Sequence, residues 1–181
     1  MVRIITAFLV LLAVALGAYA FLFKSSISTP FADYENSEYG IRFKYPASYK
    51  VQEHEVGNSE RGHYAIVLID KEALANLPEA GEGPTVMSVD IYQNNLDQLS
   101  LENWIRGIND SNFKLSIDGK LSSTSVAGVS AYFYRWDGLY RADSYALAHK
   151  DNIVVFSATY LGEKDQIRKD FEKVMDSVVL N

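Results

Sequence analysis

The sequence predicts an α+β fold: a central antiparallel sheet flanked by two or more helices, preceded by one N-terminal transmembrane helix. Three observations carry this expectation. Ile4–Phe23 is a run of twenty uncharged residues. Between residues 41 and 160, apolar side chains recur mostly at every second position, the period of half-buried strands. After Ser100, and again near residue 163, the spacing changes to three and four, the pattern of amphipathic helices. The chain has 181 residues, no Cys and a formal charge of −6, which suits one domain of ordinary size.

Twenty helical residues span about 30 Å, the thickness of a bilayer's hydrocarbon core. Ile4–Phe23 is apolar on every side, unlike a surface helix with a polar face. Residues 1–23 therefore read as a membrane anchor or a signal peptide. Ala18-Tyr19-Ala20 matches a small-x-small cleavage pattern, but Phe21-Leu22-Phe23 continues the apolar run beyond it, which favours retention. Arg3 and the terminal amine precede the run, weakly favouring a cytoplasmic N-terminus. Residues 24–32 read as a short stalk and 33–181 as an extracytoplasmic domain. Arg3 and Lys24 lie before residue 31, leaving 15 bases against 23 acids and a formal charge of −8 on the remainder. Such a charge disfavours nucleic acid as a partner. Without Cys there is no disulfide framework, thiol nucleophile or lipidated cysteine, so the apolar run must do any tethering itself.

Within the domain, Ile41, Phe43 and Tyr45 alternate with Arg42 and Lys44, a half-buried strand ended by Pro46. A short strand follows at Tyr49–Glu53, and the apolar run Tyr64–Ile69 suits a central strand. Lys71–Leu77 reads as a short helix before the breaker-rich acidic loop 78–84. In Thr85–Tyr92, Met87, Val89 and Ile91 share a face. Ser100 is a good N-cap, and Leu101, Trp104, Ile105 and Ile108 form one stripe behind it. Five strand-like stretches follow: Phe113–Ile117, Lys120–Val126, Val129–Trp136, Leu139–Ala148 and Asn152–Tyr160. Asp137-Gly138 and Lys150-Asp151-Asn152 read as hairpin turns. A helix from near Glu163 closes the chain, with Ile167, Phe171, Val174 and Val178 on its apolar side.

The opening segment Tyr34-Glu35-Asn36-Ser37-Glu38-Tyr39-Gly40-Ile41-Arg42-Phe43-Lys44-Tyr45-Pro46 resembles the start of PsbP-like domains. Those begin with an aromatic-x-Asn turn, then Tyr-Gly, an apolar residue, x-Phe-x-Tyr-Pro. The hairpins and closing helix are also similar, so the resemblance spans residues 33–181. It implies a central antiparallel sheet flanked by helices. The family includes an extrinsic subunit of photosystem II, a nuclear Ran-binding protein and many bacterial exported proteins. These share a fold and not a function. The resemblance therefore implies accessory or binding work rather than a particular partner.

No motif indicates catalysis. His54-Glu55 begins like a zincin helix, but position 58 is Asn where a second His is required. His54, His63 and His149 are the chain's three imidazoles, and their spacing does not suggest a metal site. No phosphate-binding loop or nucleophile elbow is present. No catalytic residue, metal or cofactor is assigned. The aromatic and basic segment from Tyr132 to Tyr145 is the strongest local signal, because aromatics and Arg are favoured in binding hot spots. Trp136, Tyr140 and Arg141 are its candidate partner-binding residues. Cross-strand packing of an ordinary sheet uses the same residue types.

The expected function is a membrane-tethered, extracytoplasmic, non-catalytic domain that binds a protein or envelope component, with the lipid bilayer engaged through residues 4–23. The alternatives are a soluble secreted or periplasmic protein after cleavage near Ala20, and a hydrolase with scattered active-site residues.

Overall fold

Alternation of apolar and polar side chains dictates most of the architecture. It was followed in a computed structural model that describes residues 30–58, 61–77 and 79–181. Strand β1 (Phe31–Asn36) turns into β2 (Ile41–Pro46), whose Ile41 and Phe43 are buried while Arg42 and Lys44 face solvent. The turn is set by Asn36, whose side chain accepts the Tyr39 N–H at 3.1 Å, and by Gly40 at φ +67°. A Cβ on Gly40 would lie 2.4 Å from the Asn181 carbonyl oxygen, so only glycine fits.

Seven strands form the main sheet: β3 (Tyr49–Glu55), β4 (His63–Asp70), β5 (Met87–Gln93), β6 (Ser122–Val126), β7 (Val129–Asp137), β8 (Arg141–His149) and β9 (Asn152–Tyr160). Their spatial order is β3-β4-β5-β9-β8-β7-β6, and every pairing is antiparallel. A two-residue strand, β10 (Val179–Leu180), pairs with β2, so β1, β2 and β10 make a separate three-stranded sheet.

Three helices complete the fold: α1 (Lys71–Ala75), α2 (Leu101–Gly107) and α3 (Gln166–Asp176). Asp70 caps α1 by accepting the Glu72 and Ala73 N–H groups. Ser100 caps α2 by accepting from Asn103 N–H, as its position before the apolar stripe predicts. Helix α3 and the small sheet cover one face of the main sheet. There Phe43, Ile66, Leu68, Val89, Phe156 and Phe171 belong to one buried cluster. Helix α2 covers part of the other face with Trp104, Ile105, Phe113, Tyr134 and Ile153.

The expected α+β arrangement is present, with differences of physical interest. Phe113–Ile117 is not a strand. Asn112 sits in the left-handed region at φ +57°, and Phe113–Leu115 is a 3₁₀ turn whose first N–H is taken by Ser111 Oγ. The strands form two sheets rather than one, because β2 takes β10 as its neighbour. Residues 31 and 32, read as the end of a stalk, belong to β1. Among the described residues no helix is long and apolar enough to cross a membrane. The run Ile4–Phe23 lies outside the described residues.

Candidate binding site

The hairpin read from sequence as a binding patch does not gather its three residues. Trp136 pairs with Ala142, and Asp137 pairs with Arg141. Paired residues share a face and successive residues alternate, so Trp136 and Arg141 point to opposite sides of the sheet. Trp136 is half-buried against the α2 side, and its Nε1–H donates to Ser144 Oγ at 2.9 Å. Arg141 lies on the α3 side, within 3.5 Å of an Asp137 oxygen and 4.0 Å of a Glu163 oxygen. Tyr140 donates its hydroxyl to the Gly83 carbonyl at 2.6 Å, which fastens the hairpin to the acidic loop. Trp136 is thus packed, Tyr140 anchors a loop, and Arg141 stays half exposed beside two carboxylates.

Arg168 binds the Arg141 side of the sheet to α3. It donates from Nε and Nη2 to Asp143 Oδ2, at 3.0 and 2.6 Å. Arg135 and Tyr160 donate to the other oxygen of Asp143. Burial disfavours the Arg168 charge, but the hydrogen bonds and charge of Asp143 outweigh that and hold the guanidinium firmly protonated. Every acceptor site in this cluster is matched to a donor, so it is a structural clasp.

A different set of residues meets at the opposite end of the sheet. A hollow of about 320 Å³ is lined by Arg61, His63, Tyr92, Trp104 and Asp110, among others. His63 and Tyr92 are direct partners across β4 and β5, and their rings stack at 4.2 Å. Trp104 reaches Tyr92 from α2, with ring centroids 5.0 Å apart. His63 Nε2 is 2.9 Å from Asp90 Oδ1, and the second Asp90 oxygen accepts the Ser88 hydroxyl at 2.7 Å. A carboxylate only accepts, so Nε2 carries a proton toward it. The carboxylate stands between the imidazole and the hydroxyl. Ser88 therefore hydrogen-bonds the carboxylate and not the imidazole, so the three do not stand in the hydroxyl–imidazole–carboxylate order of a catalytic triad. Arg61 and Asp97 pair at 2.8 Å on the exposed rim. The arrangement offers aromatic walls with charged groups at the edge, which suits binding.

Gly57 shapes this end. The Val56 and Gly57 N–H groups both donate to the His63 carbonyl, a β-bulge. A Cβ on Gly57 would lie 2.2 Å from the Arg61 carbonyl oxygen and 2.3 Å from the His63 nitrogen. Another hollow, of about 560 Å³, contains Asp70, Asp165 and Asp170. Their carboxylates are engaged: Asp70 caps α1, Asp165 accepts the Leu161 and Gly162 N–H groups, and Asp170 pairs with Lys173. Among the described residues no group of three His, Asp or Glu side chains is arranged to hold a metal ion.

From sequence, His63 was indistinguishable from the other two imidazoles. The signal that finds it is the cross-strand register, which places it on Tyr92 and beside Asp90.

No protein-family model matches the chain, and no curated protein matches it. Solved structures do. Among them is the solution structure of cyanobacterial PsbP from Synechocystis sp. PCC 6803, at TM-score 0.56 and 13% identity. The match covers 87% of this chain and 96% of that one. The chain therefore has a PsbP-like fold.

Proposed function

We propose that this chain is a membrane-tethered, extracytoplasmic domain that binds a protein or envelope component and does no chemistry on it. The observation that carries the reading is the apolar run Ile4–Phe23, and the start of the described fold orients it. The Pro30 carbonyl accepts the Ala47 N–H beside the junction of β4 and α1, at the sheet end opposite the His63–Tyr92–Trp104 hollow. An anchor at Ile4–Phe23 would leave the hollow facing away from the bilayer. The offset is about 30 Å, the length of nine-residue strands such as β8 and β9. Its stacked aromatics and rim charges suit an exposed peptide segment of a partner. The acidic character of the domain disfavours nucleic acid.

Two measurements test this reading. The full chain should stay with membranes through alkaline carbonate, with the domain open to protease from the extracytoplasmic side. A photo-crosslinker at Gln93, on the hollow's rim, should give a discrete adduct that Arg61→Glu abolishes. The same probe at Ser123, on the β6 edge, should not. Equal labelling at both positions would overturn the assignment of the hollow. Ala18-Tyr19-Ala20 favours a second reading, a soluble exported protein. Phe21 as the first residue of the mature chain would decide for it.

A further inference from the structure

Among the described residues, eight large apolar side chains are exposed, and their distribution is lopsided. Val56 and Leu96 lie at the end of the sheet that carries the hollow. The other six, Phe31, Leu77, Leu115, Ile117, Leu139 and Leu161, lie at the end where the described fold begins. The register places each of them. Phe31 pairs with Pro46, and the following Ser48 carbonyl accepts the Lys71 N–H at the end of β4. Leu77 follows the short helix that starts there. Leu161 directly follows Tyr160, which pairs with Arg141, and Leu139 lies in the loop before Arg141. Leu115 and Ile117 flank Ser116, which bridges to Trp136. Leu139 and Leu161 are 64% and 76% exposed, high for leucine.

We infer that this end of the domain is a lipid-docking face that rests on the surface of the bilayer. The inference rests on the tether proposed above and adds an orientation to it. Only Lys24–Pro30 separate the apolar run from β1, and seven residues reach at most about 25 Å. An anchored chain would hold these six side chains within reach of the headgroups. Single exposed leucines need no explanation, but six of the eight lying at one end mark that end as an interaction surface. At this end Asp137 and Glu163 border Arg141, and Lys173, which lies over the Phe31 ring, pairs with Asp170, so these bases form no net basic patch. Contact is therefore apolar rather than electrostatic, and it favours zwitterionic over anionic headgroups.

The chain has no Cys, so single labels can be placed without background. Full-length Leu139→Cys, Leu161→Cys and the opposite-end control Leu96→Cys would each carry an environment-sensitive fluorophore. Each would be reconstituted in phosphatidylcholine vesicles. The labels at 139 and 161 should be blue-shifted and severalfold brighter than that at 96. Headgroup-level quenchers should extinguish them selectively. The difference should persist in 1 M salt, where screening acts over about 3 Å. Adding anionic lipid should reduce it. Equally aqueous labels on a chain that resists carbonate extraction would overturn the docking face and leave the tether intact. Release by carbonate would overturn both.

Discussion

Arg168 holds Asp143 through two nitrogens on one carboxylate oxygen, joining the last helix to a strand next to the sheet centre. Asp143 is nearly buried, and Arg168 is close to it in burial. Replacing the acid leaves the mostly buried guanidinium with hydrogen bonds to Glu163 alone. Asp143→Ala should therefore cost about 1.5–3 kcal/mol in urea unfolding, the range for lost hydrogen bonds to a charged group. Adding Arg168→Met should recover part of the loss. Arg135, about half exposed, shares the same acid, and Arg135→Ala should cost under about 1 kcal/mol. Equal losses from Asp143→Ala and Arg135→Ala would refute the clasp.

Gly57→Ala should open the β3–β4 turn, because the added methyl meets backbone on both sides. A cost of about 1–3 kcal/mol is expected, as for overpacked sites. Hydrogen exchange at the Val56 and Gly57 amides reports it directly, since both donate to His63. Unchanged protection would contradict the bulge.

Tyr134→Phe tests the 3₁₀ segment. The buried Tyr134 hydroxyl donates to the Ser111 carbonyl at 2.7 Å. Losing it leaves that acceptor unsatisfied, worth about 1–3 kcal/mol. Burial also raises the Tyr134 and Tyr92 pKa values well above the ordinary phenol. Phenols that ionise later in the fold than in the unfolded chain stabilise below about pH 10, and that stability is lost as pH rises further. Absorbance titration should show these two rings ionising only as the fold opens.

His149 should make the domain sensitive to mild acid. Burial lowers its pKa, and neighbouring Lys150 lowers it further, against hydrogen bonds to the Tyr39 and Asn181 backbone. The unfolded chain binds this proton near pH 6.5 and the folded chain only at lower pH. Stability is therefore complete above about pH 6.5 and falls as pH drops below it. His149→Gln should flatten the urea midpoint between pH 7.5 and 5.5. An unchanged slope would assign the acid sensitivity elsewhere.

Much of the fold is legible because burial on one face forces alternation. Ile41, Phe43 and Tyr45 declare β2, and Asn152–Tyr160 is found with the same bounds. The same rule misleads at Phe113, Leu115 and Ile117. Phe113 alone is buried, and Ser111 and Asn112 satisfy and bend the backbone locally. Strand β1 lacks a clean alternation, and β10 is two residues long. Parity parts two of the hairpin candidates, Trp136 and Arg141. Sequence gives the faces within each strand, but the register that puts Trp136 opposite Ala142 fixes how two strands' faces correspond. The hollow at His63 draws on β4, β5, α2 and a 3₁₀ turn, which only the completed topology brings together.

The pairing of β10 with β2 has a consequence in time. Arg42 waits for Val179, and Ile41 for Leu180. During synthesis the inner edge of the small sheet therefore stays unpaired until almost all of these residues have left the ribosome. Contacts so distant in sequence form late and slowly. The small sheet is thereby closed last, by the last of these residues to be made.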